Sequence, residues 1–131
     1  MSVENEGQRW RIEKLVQTPA AVRFVSYEPA LGPLDILEIL LGQTSCGRPD
    51  WLIFGGESGP SARPCNLQWA RDVRDMCKAA GTAYFFKQAG AAAYDETGID
   101  EIQYYRFRDP KGGDLSEIPE DLRIREFPQY E

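Results

Sequence analysis

The chain reads as an α/β protein built from repeated βα units that form an open parallel sheet, followed by an irregular C-terminal tail. Three observations predict this. Short apolar runs recur at Ala21–Tyr27, Trp51–Phe54 and Ala83–Phe86. Patterns suited to helices lie between them. Each run also ends on a polar residue: Glu28, the pair Gly56-Glu57, and Lys87. If Ser2-Val3 is the end of a further strand, Glu4 is the first member of the series. The steps from 4 to 28, 28 to 57 and 57 to 87 are 24, 29 and 30 residues, about one βα unit each. Residues 1–90 are therefore read as a βα-repeat core, and 91–131 as an extension that packs on it.

The elements follow in order. Trp10, Ile12, Leu15 and Val16 share a helical face that ends before Pro19. Ala21–Tyr27 (AVRFVSY) is rich in β-branched and aromatic residues and reads as a strand, which Pro29 stops. Pro29–Pro33 is a turn-rich connector, Leu34–Leu41 a short helix closed by Gly42, and Gln43–Asp50 a polar loop. Trp51–Phe54 is apolar at successive positions, the pattern of a strand buried on both faces. Leu67–Ala80 is the clearest helix, with Asn66 as N-cap and Gly81 as C-cap. Its stripe is Trp69, Val73, Met76, Cys77 and Ala80, with Arg71, Asp72, Arg74, Asp75 and Lys78 towards water. Beyond Ala83–Phe86, Ala91–Gly98 is a small-residue and polar segment and Glu101–Arg108 a short strand. Asp109–Asp114 is a turn. In the tail, Leu115, Ile118, Leu122, Ile124 and Phe127 are the anchors.

Composition narrows the function. A net charge of −6 and a pI near 4.7 oppose broad binding to nucleic acid or anionic membranes. No apolar run nears the ~20 residues of a membrane span, and no signal-peptide pattern is present, so a cytoplasmic setting is expected. Cys46, Cys65 and Cys77 form no C-x-x-C pair, which argues against a disulfide framework and a zinc site. The chain has no histidine. Any acid or base must then be a carboxylate, Lys, Tyr or Cys.

Four strand ends in register place Glu4, Glu28, Glu57 and Lys87 on one rim, where parallel α/β folds hold their sites. Glu28, Glu57 and Lys87 are the candidate catalytic residues, with Lys87 paired to Glu57 or Glu28, and Glu4 is a candidate cofactor contact. The Gly55–Arg63 loop suggests ligand contact through Gly55, Gly56, Ser58 and Arg63, because backbone N–H groups before a helix can cradle an anion. Neither G-x-x-x-x-G-K-[ST] nor G-x-G-x-x-G is present, and a tight turn requiring glycine is the alternative reading. Ser58 lacks the nucleophile-elbow context. Cys65, near the rim, is either a reactive thiol or a small buried residue.

The phrases SVEN, VRFVSYEPALGPLDI, WLIFGGESGPSARP, AGTAYFFKQAG, KGGDL and REFP, in this order, resemble an uncharacterised phage-associated protein family. Full-length members of that family look like radical S-adenosylmethionine enzymes with an upstream cysteine cluster. The resemblance implies that this chain is the C-terminal half of a radical-enzyme-like (β/α) barrel, that is, a partial (half) TIM-like barrel. It also implies S-adenosylmethionine and a [4Fe–4S] cluster for full-length relatives only, with no cofactor held by this chain alone. On that basis the GGES and EP motifs (Gly55, Gly56, Glu57, Ser58, Glu28 and Pro29) lie on the cofactor or substrate side. The expected function is ligand binding without independent catalysis. The alternative is a non-enzymatic, phage-associated binding or assembly module. A half barrel with open edges implies a homo-oligomer or a partner chain, and the rim implies a small-molecule or anionic ligand.

Overall fold

The computed structural model describes residues 2–16, 23–42 and 48–129. Within them the elements are α1 (Trp10–Val16), β1 (Phe24–Tyr27), α2 (Leu37–Leu40), β2 (Trp51–Gly55), β3 (Cys65–Asn66), α3 (Leu67–Ala80), β4 (Ala83–Gln88), β5 (Ala93–Gly98) and β6 (Glu101–Tyr104). Short 3₁₀ turns cover Glu6–Gln8, Leu115–Glu117 and Glu120–Leu122. Strands β1, β2 and β4 form a parallel sheet in the order β1-β2-β4, and β3, β5 and β6 form a second, mixed sheet. The result is a mixed α/β architecture with no closed barrel among the described residues.

One face of the parallel sheet carries the core. Val25 and Tyr27, Leu52 and Phe54, and Tyr84 and Phe86 alternate inwards and are buried. They join Ile39 and Leu40 of α2 and Leu67, Ala70, Val73 and Cys77 of α3 in one hydrophobic cluster. Removal of these apolar surfaces from water is the main force behind the packing. Tyr84 Oη donates to Ala70 O at 3.2 Å and Tyr27 Oη to Gly32 O, so neither buried phenol is left unsatisfied.

The opposite face differs from the expectation of strands buried on both sides. Trp51 and Ile53 are only half-buried, and burial along β2 alternates. An aromatic group occupies this face: Trp51 lies against Phe24, Phe85 and Phe127 at 6.4, 5.9 and 5.6 Å between ring centres. The continuous apolar run thus serves a helix-covered core on one side and an aromatic patch on the other.

Helix α3 matches its predicted limits. Asn66 accepts from Gln68 N at 2.9 Å, and Gly81, at φ 75°, donates its N–H to Cys77 O. Arg71, expected to face water, instead makes a paired contact with Asp95 at 2.6 and 3.2 Å and a third bond to Asp121 at 2.8 Å. Asp95 is buried and also accepts from Tyr105 Oη at 2.8 Å. A polar helix position can therefore be a tertiary anchor, which periodicity does not reveal.

Other boundaries move as well. Trp10, placed on the inner face of α1, is 55% exposed. Helix α2 is confined to four residues, and Leu34 and Ile36 are buried in extended chain ahead of it. Pro19, Ala21, Val22 and most of the Gln43–Asp50 loop lie outside the described residues. The segment after Gly90 is more regular than expected: β5 and β6 are an antiparallel hairpin, and β5 also pairs in parallel with β3. The tail seals the outer edge of β4, with Phe86 N donating to Ile124 O and Glu126 N to Tyr84 O, both at 2.8 Å. That edge, expected to be open, is covered. Phe127, expected as an anchor of the tail, is 66% exposed and packs against Trp51 and Phe85 of the aromatic patch.

Gly56 shows how tightly the strand ends pack. A Cβ there would collide with the carbonyl of Ala89 and lie 3.1 Å from Gly90 Cα. Both neighbours are backbone and cannot rotate away. Gly56→Ala is expected to destabilise the fold by about 1–3 kcal/mol, measured as a lower urea midpoint with an unchanged slope.

Candidate functional site

The parallel register builds the rim. Ser2 pairs in parallel with Ser26, and Val3 N donates to Ser26 O at 2.8 Å, so the segment before Glu4 extends the sheet on the β1 side. Ser26 pairs with Ile53, and Ile53 with Phe85. Two residues beyond this row stand Glu4, Glu28, Gly55 and Lys87. Because side chains alternate along strands, these four positions return to the face of the row they follow. All four predicted strand ends, with Glu57 two residues past Gly55, lie at the same end of the sheet.

Each acid on this rim has a cation. Lys87 Nζ lies 3.0 Å from both Glu28 carboxylate oxygens. Glu57 accepts from Arg63 N and Nε at 3.0 Å and from Nη2 at 2.6 Å. Glu4 meets Arg11 at 3.4 Å. Of the two partners predicted for Lys87, Glu28 is the one it bonds.

Gly55 and a β-bulge explain that pairing. Phe54 pairs with Phe86, but Gly55 pairs with Gln88, leaving Lys87 as the extra residue on β4. A bulge re-aims the residue it frees. Strand β2 lies between β1 and β4, so a side chain at position 55 would stand between Lys87 and Glu28. A Cβ there would come within 2.9 Å of the Glu28 carboxyl carbon. The glycine leaves the pair room to meet across β2.

Gly56 has a different task. Its N–H donates to Gln88 O at 3.0 Å, and its carbonyl accepts from Gln88 Nε2 at 2.9 Å. The Gly56 amide is therefore held within the sheet rather than turned towards a ligand. Ser58 is exposed at the loop tip, and Arg63 is exposed but tied to Glu57.

Electrostatics follow from these bonds. Hydrogen bonds from the Arg63 side chain, and then from its backbone N–H, hold Glu57 well below the usual carboxylate range, at about 2. The same pairing raises Arg63, which also feels the charge of Glu4. Burial pushes the Cys65 thiol up to about 12. Of the two readings of Cys65, the structure supports the small buried residue. Cys77 is likewise buried and raised to about 12. Among the described residues no group of three or more Cys, Asp or Glu side chains is arranged to hold a metal ion.

Sequence reasoning missed three supports of the rim. Arg125 donates to Phe86 O and Lys87 O at 2.9 Å and to Gly113 O at 2.8 Å, with its guanidinium 5.3 Å from the Phe85 ring centre. The Asp109–Asp114 turn docks on the end of β4, with Ala89 N donating to Gly112 O and Gly90 N to Lys111 O. Arg11 joins Glu4 from α1. The KGGD turn and the REFP phrase were visible signals, but their target on β4 is distant in sequence.

A family model described as "Protein of unknown function (DUF5131)" matches residues 1–118. The chain belongs to the DUF5131 family. No curated protein and no solved structure matches it. The DUF5131 match spans both sheets and all the rim residues. A cavity of about 900 Å³ in this DUF5131 chain lies instead at the other end of the parallel sheet, beside Arg48, Asp50, Thr82 and Glu126. Glu4, Glu28 and Glu57 do not line it, so the rim remains the better candidate.

The Glu57–Arg63 contact has a direct pH signature. A carboxylate lowered in the folded state stabilises that state above its unfolded value near 4.5, and the contribution is lost as pH falls through about 2. Carboxyl-carbon NMR should show Glu57 titrating far below ordinary glutamates, and Arg63→Ala should return it towards 4.5.

Proposed function

We propose that the rim binds a small zwitterionic ligand, and that the chain is the ligand-binding half of a radical-SAM-like barrel that does not catalyse a reaction alone. The observation that carries this reading is the alternation of acids and cations at one end of a parallel sheet: Glu28 with Lys87, and Glu57 with Arg63. A ligand bearing both an ammonium and a carboxylate matches such a surface by exchanging partners with the internal pairs. Glu28 and Glu57 would accept from the ammonium, and Lys87 and Arg63 would donate to the carboxylate.

S-adenosylmethionine is the ligand of this class that we put forward, and when bound it supplies a reactive sulfonium. These residues would bind and orient it. A [4Fe–4S] cluster does not fit the described residues. Cys65 and Cys77 are buried thiols raised to about 12, and Cys46 lies outside the described part. No step through a cluster is derived.

The half-barrel reading draws support from the grading of the face opposite the helices. Aromatic residues occupy it near the strand starts and charged residues near the strand ends, as in a barrel interior with an apolar floor and a polar mouth. Among the described residues no helix is long and apolar enough to cross a membrane. A second reading, a phage-associated binding or assembly module without enzymatic activity, is favoured by the exposed strand β6.

Titration calorimetry with S-adenosylmethionine tests the proposal, with inorganic sulfate as the simple-anion control. The wild-type chain should bind the zwitterion. Glu57→Gln should weaken binding by about ten- to a hundred-fold, the worth of one hydrogen bond to a charged group. No heat with the wild type, or equal affinity in the variant, would overturn the assignment.

A further inference from the structure

Among the described residues, strand β6 is an uncovered sheet edge. The mixed sheet runs β3-β5-β6, so β6 has a neighbour on one side only. All four of its residues are exposed, with Ile102 at 50% and Tyr104 at 75%, and Ile99 in the adjoining turn is 95% exposed. Edge strands in monomers are ordinarily blunted by Pro, Lys or repeated charge. The sequence Glu101-Ile102-Gln103-Tyr104 has one charge, at its first position, and no proline. The covered edge of β4 is a contrast within the same molecule.

The hydrogen-bond phase of β6 shows what the edge offers. Tyr105 N donates to Ala93 O at 3.0 Å, and Tyr104 lies opposite Tyr94. In an antiparallel pair, residues alternate between those that bond the neighbour and those that turn their backbone groups away. Tyr105 and Gln103 therefore face β5. Ile102 and Tyr104 direct N–H and C=O outwards. Their side chains also share one sheet face with Tyr94, whose ring lies 6.3 Å from that of Tyr104.

We propose that β6 pairs antiparallel with β6 of a second copy of this chain, about a two-fold axis at Gln103. The register follows from matching the outward groups. Centred on Gln103, each Ile102 stands opposite Tyr104 of the second copy, and each such pair exchanges both backbone bonds. The two mixed sheets then become one continuous sheet.

The side chains agree with this register. Aliphatic–aromatic pairs opposite one another stabilise strand pairing. Here Ile102 meets Tyr104 twice, and the apolar face extends from Tyr94 through both copies. Glu101 stands opposite Tyr105 rather than another Glu101, so no like charges oppose. Centring on Glu101 would set the two glutamates against each other. Centring on Ile102 would leave Tyr104 opposite Asp100, at the turn. The Gln103-centred register alone pairs both outward residues within the strand. A symmetric interface of this kind is closed and stops at the dimer.

Two measurements on the full chain test this. Sedimentation equilibrium should show a concentration-dependent dimer. Ile102→Lys combined with Tyr104→Lys should be monomeric, and so should the matching double glutamate variant. An equimolar mixture of the two should recover the dimer, because each lysine would then oppose a glutamate. Oxidation of Gln103→Cys should give a covalent dimer on a non-reducing gel, since Gln103 faces itself across the axis; Glu101→Cys and the parent chain should not. A wild-type monomer at all concentrations, a dimer unaffected by the charge variants, or crosslinking through Glu101→Cys in preference to Gln103→Cys would each overturn the proposal.

Discussion

The structure depends on how closely the parallel strands approach one another at their carboxyl ends. Gly56 lies against the Ala89 carbonyl, Gly90 within 2.7 Å of the Glu57 carbonyl at its would-be Cβ, and Gly112 within 2.9 Å of the Gly90 carbonyl by the same measure. Backbone thus packs on backbone through three segments: the end of β2, the end of β4 and the KGGD turn. Side chains at these points would force the segments apart. The hydrogen bonds Gly56 N to Gln88 O, Ala91 N to Glu57 O and Ala89 N to Gly112 O then hold them in a fixed register. With the ends so held, the charged residues that follow each strand have no freedom to disperse.

That register turns a sequence repeat into a shared rim. Glu4, Glu28 and Glu57 are each carried to the same edge by a separate strand, and Lys87 is turned towards Glu28 by the bulge on β4. Pairing with cations offsets the repulsion that three carboxylates on one rim would otherwise feel. Arg63 closes the loop after β2, Arg11 comes from α1, and Lys87 crosses over Gly55. The same pairs set both signs of charge side by side along the rim, the feature on which the proposed zwitterionic ligand rests.

Much of this was legible in the sequence because it rests on local or periodic signals. The α3 boundaries follow from Asn66 and Gly81, and the strand ends from the spacing of acids after apolar runs. The pairings were less legible. Arg71 reads as a solvated helix residue until Asp95, 24 residues later, is brought beneath it. The bulge at Lys87 depends on the register between β2 and β4, which no single segment encodes. The hairpin of β5 and β6 was masked by its composition: Ala91–Gly98 has few β-branched residues, and its pairing comes from neighbours on both sides. Phe127 was legible as a tail anchor from its apolar character, but its partners, Trp51 and Phe85, are far away in sequence.

The central claim is that the missing side chain at Gly55 allows Glu28 and Lys87 to meet across β2. A double-mutant cycle of Glu28→Gln and Lys87→Met tests it most directly, run once in the wild type and once with Gly55→Val. The pair is partly exposed, so solvent screens it and a coupling of roughly 0.2–1 kcal/mol is expected in the wild type. The account predicts that this coupling disappears in the Gly55→Val background while the chain still folds. An equal coupling in both backgrounds would contradict it.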